Sequence, residues 1–137
     1  MQPNNNCLYA CASRPSYMSV DYHRAAGRAN NKGLWIISRD EEATRFYCAI
    51  DHNNSSPEYP GMWHLETDDT YVGRDRELIA FFPAPENPTD PWHGYPFTFE
   101  RAAPKARIQA LKQVAKRLEA AGSLSLARAT KIRRGEL

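Results

Sequence analysis

A chain of 137 residues with 42% hydrophobic and 25% charged side chains fits one ordinary domain, which excludes a disordered chain and a mini-protein that needs disulfides or a metal to fold. No apolar run approaches the ~20 residues of a membrane span, and the opening Met1-Gln2-Pro3-Asn4-Asn5-Asn6 has neither the basic nor the apolar region of a secretory signal. These features predict a cytoplasmic protein with no membrane partner, and three cysteines, an odd number, suit a reducing compartment.

In chain order, the apolar run from Cys7 to Ala12 reads as a strand stopped by Arg14-Pro15. Ser16 is placed to cap a helix through about Arg28, with Tyr17 and Val20 inward. Leu34 to Ile37 reads as a central strand, because its hydrophobicity is continuous. Ser38-Arg39-Asp40-Glu41 is a capping box, followed by Ala43, Phe46, Tyr47 and Ile50 at helical spacing, which predicts a helix from Arg39 to about Ala49. Residues 51–61 form a polar loop. Met62 to Glu66 and Leu78 to Phe82 read as strands, with a weaker strand at Thr70 to Val72. Five prolines between Pro83 and Pro96 predict an extended surface loop, followed by an edge strand at Phe97-Thr98-Phe99. Pro104 begins a helix to Ala121 with Gly122 as its cap, and a second short helix, capped by Ser123 or Ser125, turns Ala129 and Ile132 inward. The order predicts one α+β domain over residues 1–137 with a small, mostly antiparallel sheet and a C-terminal helical pair.

Charge is distributed unevenly along this domain. Residues 101–137 carry ten Lys/Arg against two Glu, a net of +8, whereas residues 1–100 carry eight Lys/Arg against fourteen Asp/Glu, a net of −6. A basic helical end on an acidic body is an electrostatic footprint for a polyanion or for an acidic surface, its own or a partner's. Lys112 and Lys116 sit on the solvent face of the longer helix. Arg128, Lys131, Arg133 and Arg134 place four cations in seven residues, which repel one another unless an anion is near.

The segment Asp90-Pro91-Trp92-His93-Gly94-Tyr95-Pro96 offers a rigid loop site. Two prolines restrict the backbone, Trp92 can stack on a base, and the His93 imidazole titrates near neutrality. The competing structural reading is that Trp92 and Tyr95 anchor the loop. A metal-independent ribonuclease needs a general base, a general acid and cations for the developing phosphorane charge. His93, Tyr95 and His64 are the candidates here, with His23 and His52 in reserve. Cys7-x3-Cys11 and Cys48-x3-His52 have zinc-ligand types, but their loose spacing favours buried core thiols, so no metal is expected. Glu66, Asp68 and Asp69 have oxygens that suit a hard cation, but three acids beside a turn are more often merely solvated, and no metal is expected there.

Leu8-Tyr9, followed by Gly33-Leu34-Trp35-Ile36-Ile37-Ser38 and a helix with Glu42-Ala43 and Phe46-Tyr47, resembles the front half of small ADP-ribosyltransferases. The resemblance implies NAD-dependent ADP-ribosyl transfer. In that family the Leu-Tyr strand leads to a His or Arg that binds NAD, whereas Ala10 follows here.

The leading expectation is a nucleic-acid-engaging protein, RNA-directed, that uses the basic helices and the Trp92 loop. A ribonuclease of toxin or phage-defence type is its enzymatic form, and it needs no cofactor. ADP-ribosyl transfer and docking of an acidic protein partner by the basic tail are the alternatives.

Overall fold

The computed structural model describes residues 6–20, 23–24, 33–99 and 103–137. Strands β1 (Cys7–Tyr9) and β2 (Tyr17–Ser19) form an antiparallel hairpin. Helix α1 (Arg39–Asp51) leads to a three-stranded antiparallel meander of β3 (Met62–Leu65), β4 (Ile79–Phe82) and β5 (Tyr95–Phe97), with β4 central. Helices α2 (Lys105–Ala120) and α3 (Leu126–Arg133) complete a small α+β fold.

Strand periodicity separates two cores. Trp63, Leu65, Ile79, Phe81 and Phe97 project to one side of the meander and pack against Leu111, Val114 and Ala115 of α2 and Ala129 and Ile132 of α3. Met62, Ala80 and Phe82 project to the other side, against Ala43 and Phe46 of α1 and Tyr17 of the hairpin. The sheet is therefore covered on both faces, which explains why all four residues of β4 are buried.

The capping box of α1 forms as expected. The Glu41 amide donates to Ser38 Oγ at 3.1 Å and the Ser38 amide to Glu41 Oε1 at 3.2 Å, an arrangement that stabilises a helix start by about 1 kcal/mol. Phe46 is fully buried and Tyr47 half-buried, with its hydroxyl donating to the Pro15 carbonyl at 3.0 Å. Gly122 follows Ala121, the C-cap of α2, with φ +77°, the left-handed conformation that glycine adopts without a Cβ penalty.

Four expectations are corrected. The helix placed from Ser16 is replaced, where described, by β2, because Tyr17 and Ser19 alternate inward from the hairpin and Arg14-Pro15 belongs to its turn; residues 21–22 and 25–28 lie outside the described residues. Among the described residues, Leu34 to Ile37 makes a single bridge, Trp35 to Gly73, and Leu34, Trp35 and Ile37 are buried by packing rather than by strand pairing, with Ile36 exposed. Val72 is buried but lies outside any strand, ahead of the turn at Arg74 and Asp75. The last strand is Tyr95–Phe97, two residues earlier than expected; Pro96 is tolerated because β5 is an edge strand.

Candidate functional site

The basic residues of the C-terminal pair divide into two groups. Arg128 is turned inward: Nη1 donates to the Glu66 carbonyl at 3.0 Å, and Nη2 donates to the Asp68 carbonyl and to Asp69 Oδ1, each at 3.0 Å. It fastens α3 to the acidic turn after β3. Its Nη1 and Nη2 are thus engaged by the chain's own acidic segment, which sets Arg128 apart from the other basic residues expected to contact nucleic acid. The same contacts give Asp68 and Asp69 a structural use.

Lys112, Lys116 and Arg133 instead line one cleft of about 300 Å³ between α2 and α3, floored by Ala115 and Ala129 and bordered by Gln113 and Glu119. Lys112 and Lys116 share a face because they are four residues apart on α2, and alanines at the helix crossing leave the hollow that larger side chains would fill. A second cleft of about 280 Å³ adjoins it, lined by Lys116, Arg117, Gln113 and Ser55-Ser56-Pro57. Lys131 and Arg134 are exposed on the same short helix end. Arg117 and the Ser55–Pro57 turn were not among the sequence candidates. Arg117 Nη2 hydrogen-bonds the Ser55 carbonyl, a contact 62 residues distant in sequence.

The Trp92 loop has a different role from the one expected. The Trp92 amide donates to the Ser16 carbonyl at 2.8 Å and its carbonyl accepts from the Met18 amide at 2.7 Å. Its ring lies 5.5 Å from that of Phe46. Trp92 is thus an anchor of the hairpin, half-buried. Gly94 is required by packing, since a Cβ there would stand 2.2 Å from the Phe82 ring and 2.7 Å from the Phe81 carbonyl oxygen, so the space expected for a ligand is filled. His93 itself is exposed. The Tyr95 hydroxyl accepts from Arg107 Nη1 at 3.0 Å, and the guanidinium lies over the Tyr59 and Phe81 rings. Tyr95 and His64 stand on opposite faces of the sheet with β4 between them. The three residues chosen for catalysis are not brought together.

His64 belongs to another cluster. His64 on β3 and Glu66, the residue after the strand's end, face α1, where Arg45, Cys48 and, at the helix cap, His52 fall on one helical face. Glu66 Oε1 accepts from Arg45 Nε at 2.9 Å, and its Oε2 lies 3.4 Å from His64 Nε2. His64 Nε2 is buried and, among the described residues, makes no hydrogen bond. His52 Nδ1 donates to the Cys48 carbonyl at 2.8 Å and lies 3.7 Å from the Cys48 sulfur. The nearby His64 imidazole, with His52 in support, lowers the Cys48 thiol pKa against the opposing effect of partial burial. Burial alone would lower the pKa of His64, but the thiol and Glu66 outweigh it and raise it. Burial likewise opposes ionisation of Glu66, and His64 and Arg45 overcome it, so its carboxyl titrates below the ordinary value.

These directions fix the pH dependence of stability. His64, raised in the fold, contributes stability that is complete below its unfolded pKa of about 6.5 and is lost as pH rises through the folded value. Glu66, depressed, contributes stability above about pH 4.3 that is lost as pH falls through its folded value. Thermal melts across this range are expected to show both limbs. In His64→Asn the alkaline limb should shrink to the part supplied by His52, whose pKa the Cys48 carbonyl also raises, and an unchanged pH profile in that variant would contradict the assignment.

The cysteines do not gather as a zinc site. Cys7 is half-buried in β1, Cys11 exposed in the hairpin turn and Cys48 half-buried on α1, so none is the core thiol expected. Among the described residues, no group of three or more His, Cys, Asp or Glu side chains is disposed to hold a metal ion, and no helix is long and apolar enough to cross a membrane. Comparison with protein-family models, curated proteins and solved structures finds no match. Of the residues that resemble ADP-ribosyltransferases, Glu42, Ala43 and Phe46 are buried in α1, and Ala10, where the resemblance fails, is exposed after β1.

Proposed function

We propose that the chain binds nucleic acid, single-stranded RNA in the first instance, through the cleft between α2 and α3. The observation that carries this reading is the convergence of Lys112, Lys116 and Arg133 on one hollow. A phosphate seated there meets three cations and releases its condensed counterions. Lys131 and Arg134 extend the positive surface along α3, and Lys116 and Arg117 extend it into the second cleft. Glu119 argues for RNA over DNA. A carboxylate in a basic cleft repels phosphate but accepts a hydrogen bond from a ribose 2′-hydroxyl, which deoxyribose cannot supply.

Binding, not strand cleavage, is the activity the geometry favours, because His64 and Tyr95 are divided by the sheet and Trp92 is used as an anchor. The test is titration of a labelled single-stranded oligoribonucleotide, and its deoxy counterpart, with wild type and with Lys112→Ala/Lys116→Ala/Arg133→Ala. The variant is expected to lose most of its affinity at low salt while Arg128→Ala, which acts through stability, keeps binding once folded. Equal affinity for both probes would remove the preference for RNA, and retention of full affinity by the triple variant would remove the site.

A further inference from the structure

We propose, building on the nucleic-acid reading above, that the second cleft is a base pocket that takes a purine of the bound strand. That cleft, about 280 Å³ in volume, lies between α2 and the Ser55–Pro57 turn and shares Gln113 and Lys116 with the hollow that holds phosphate. A nucleotide whose phosphate rests on Lys116 therefore reaches Gln113 and Arg117 with its base.

The walls of this cleft are fixed by the chain itself. Residues 53–59 run along α2 in the opposite direction and are tied to it at successive turns. Arg117 Nη2 donates to the Ser55 carbonyl, Ser56 Oγ donates to Gln113 Oε1 at 2.5 Å, Gln113 Nε2 donates to Glu58 Oε1 at 3.4 Å, and Arg107 Nη2 donates to the Tyr59 hydroxyl at 3.1 Å. Walls held in place before binding lower the ordering cost that a ligand must overcome.

The groups that face the cleft suit a base better than a second phosphate. Arg117 has committed Nη2 to the Ser55 carbonyl, the turn supplies only neutral side chains, and the Glu58 carboxylate beyond Gln113 repels an anion. The Gln113 side chain is exposed, and its two bonds decide which way the amide faces. An amide oxygen accepts two hydrogen bonds and an amide nitrogen donates two, so each keeps one for a ligand. An acceptor beside a donor matches the amino group and ring nitrogen of adenine, the pairing by which glutamine reads that base. Guanine, with a carbonyl beside a ring N–H, satisfies the same two groups. Arg117 adds a planar guanidinium, a surface on which unpaired bases stack, and exposed Pro57 adds an apolar wall. A pyrimidine meets the amide equally well, but its single ring covers less of the guanidinium and of Pro57 than the two rings of a purine.

The test titrates the full chain against two labelled oligoribonucleotides of equal length, one of adenosine and one of uridine. Equal length fixes the number of phosphates, so counterion release is the same for both and a difference in affinity comes from the bases. Wild type is expected to bind the adenosine strand about 5- to 10-fold more tightly, at the lower end of what one stacked base contributes, with parallel salt slopes. Gln113→Leu, similar in bulk and without the amide, should bring the two affinities together. Arg117→Lys keeps the charge and loses the stacking plane, so it should also narrow the gap, a change that a purely electrostatic role would not produce. Equal affinity of wild type for the two strands, with the steep salt slope retained, would overturn the base pocket and leave the phosphate cleft standing, whatever the folding of any variant. A preference undiminished in folded Gln113→Leu and Arg117→Lys would put the base elsewhere and overturn it as well. Failure of both strands to bind at about 50 mM salt, where phosphate contacts are strong, would remove the pocket together with the reading beneath it.

Discussion

Replacing Glu42 by Ala is expected to lower stability by about 3–5 kcal/mol, the range observed when one partner of a buried ion pair is removed. Glu42 is fully buried on α1, and its carboxylate accepts from the Tyr17 hydroxyl at 2.5 Å, the Ser19 hydroxyl at 2.7 Å and Arg24 Nη2 at 2.7 Å. Burial raises its pKa, and the hydrogen bonds from Tyr17, Ser19 and Arg24 oppose that rise. The network joins the hairpin, Arg24 and α1, so truncation would leave a guanidinium and two hydroxyls without their shared acceptor. In a domain of this size the loss corresponds to roughly 10–20 °C in melting temperature. Glu42→Gln, which keeps an acceptor, should cost less than Ala. A change of under about 1 kcal/mol on Glu42→Ala would contradict the network's structural role.

The second large effect is expected at Trp63, where Ala should cost about 3–5 kcal/mol but Phe little or nothing. The indole is fully buried, 4.4 Å from the Phe81 ring and edge-on to Phe97 at 5.2 Å. Removing it opens a cavity between the sheet and α2. Its Nε1 is buried and has no hydrogen-bond partner among the described residues, so Phe preserves most of the packing and relieves an unsatisfied donor. Chemical denaturation of both variants checks this. A Phe variant as unstable as the Ala variant would mean that the N–H has a role the packing does not account for.

Elements whose signals are local were legible in the sequence. The box at Ser38 to Glu41 and the Pro104 and Gly122 ends of α2 need only neighbours a few residues away. Tyr17–Ser19 was not legible, because three residues carry too little periodicity and the strand exists only through β1 and the Trp92 backbone. Leu34 to Ile37 misled because continuous hydrophobicity reports burial, not pairing: Leu34 and Trp35 are buried while Ile36 is 58% exposed.

The site was partly legible for the same reason. Lys112 and Lys116 follow from helical spacing, whereas the crossing that adds Arg133 is tertiary. Arg128 looked equivalent to its neighbours, and only the fold brings it to Asp69, 59 residues away. The thiol cluster had a usable signal. Arg45, Cys48 and His52 repeat at helical spacing and His64 and Glu66 at strand spacing, but the sequence does not say that α1 lies over that side of β3.

The most direct test of the nucleic-acid reading is the salt dependence of RNA binding. For single strands each neutralised phosphate contributes about 0.7 to the slope of log K against log salt, so removal of Lys112, Lys116 and Arg133 together should flatten the slope by up to about 2. Wild type that binds the oligoribonucleotide with a steep slope, and a folded triple variant that binds weakly with a shallow one, is the predicted result. Wild type that fails to bind at about 50 mM salt, where such contacts are strong, or a triple variant with an unchanged slope, would contradict it.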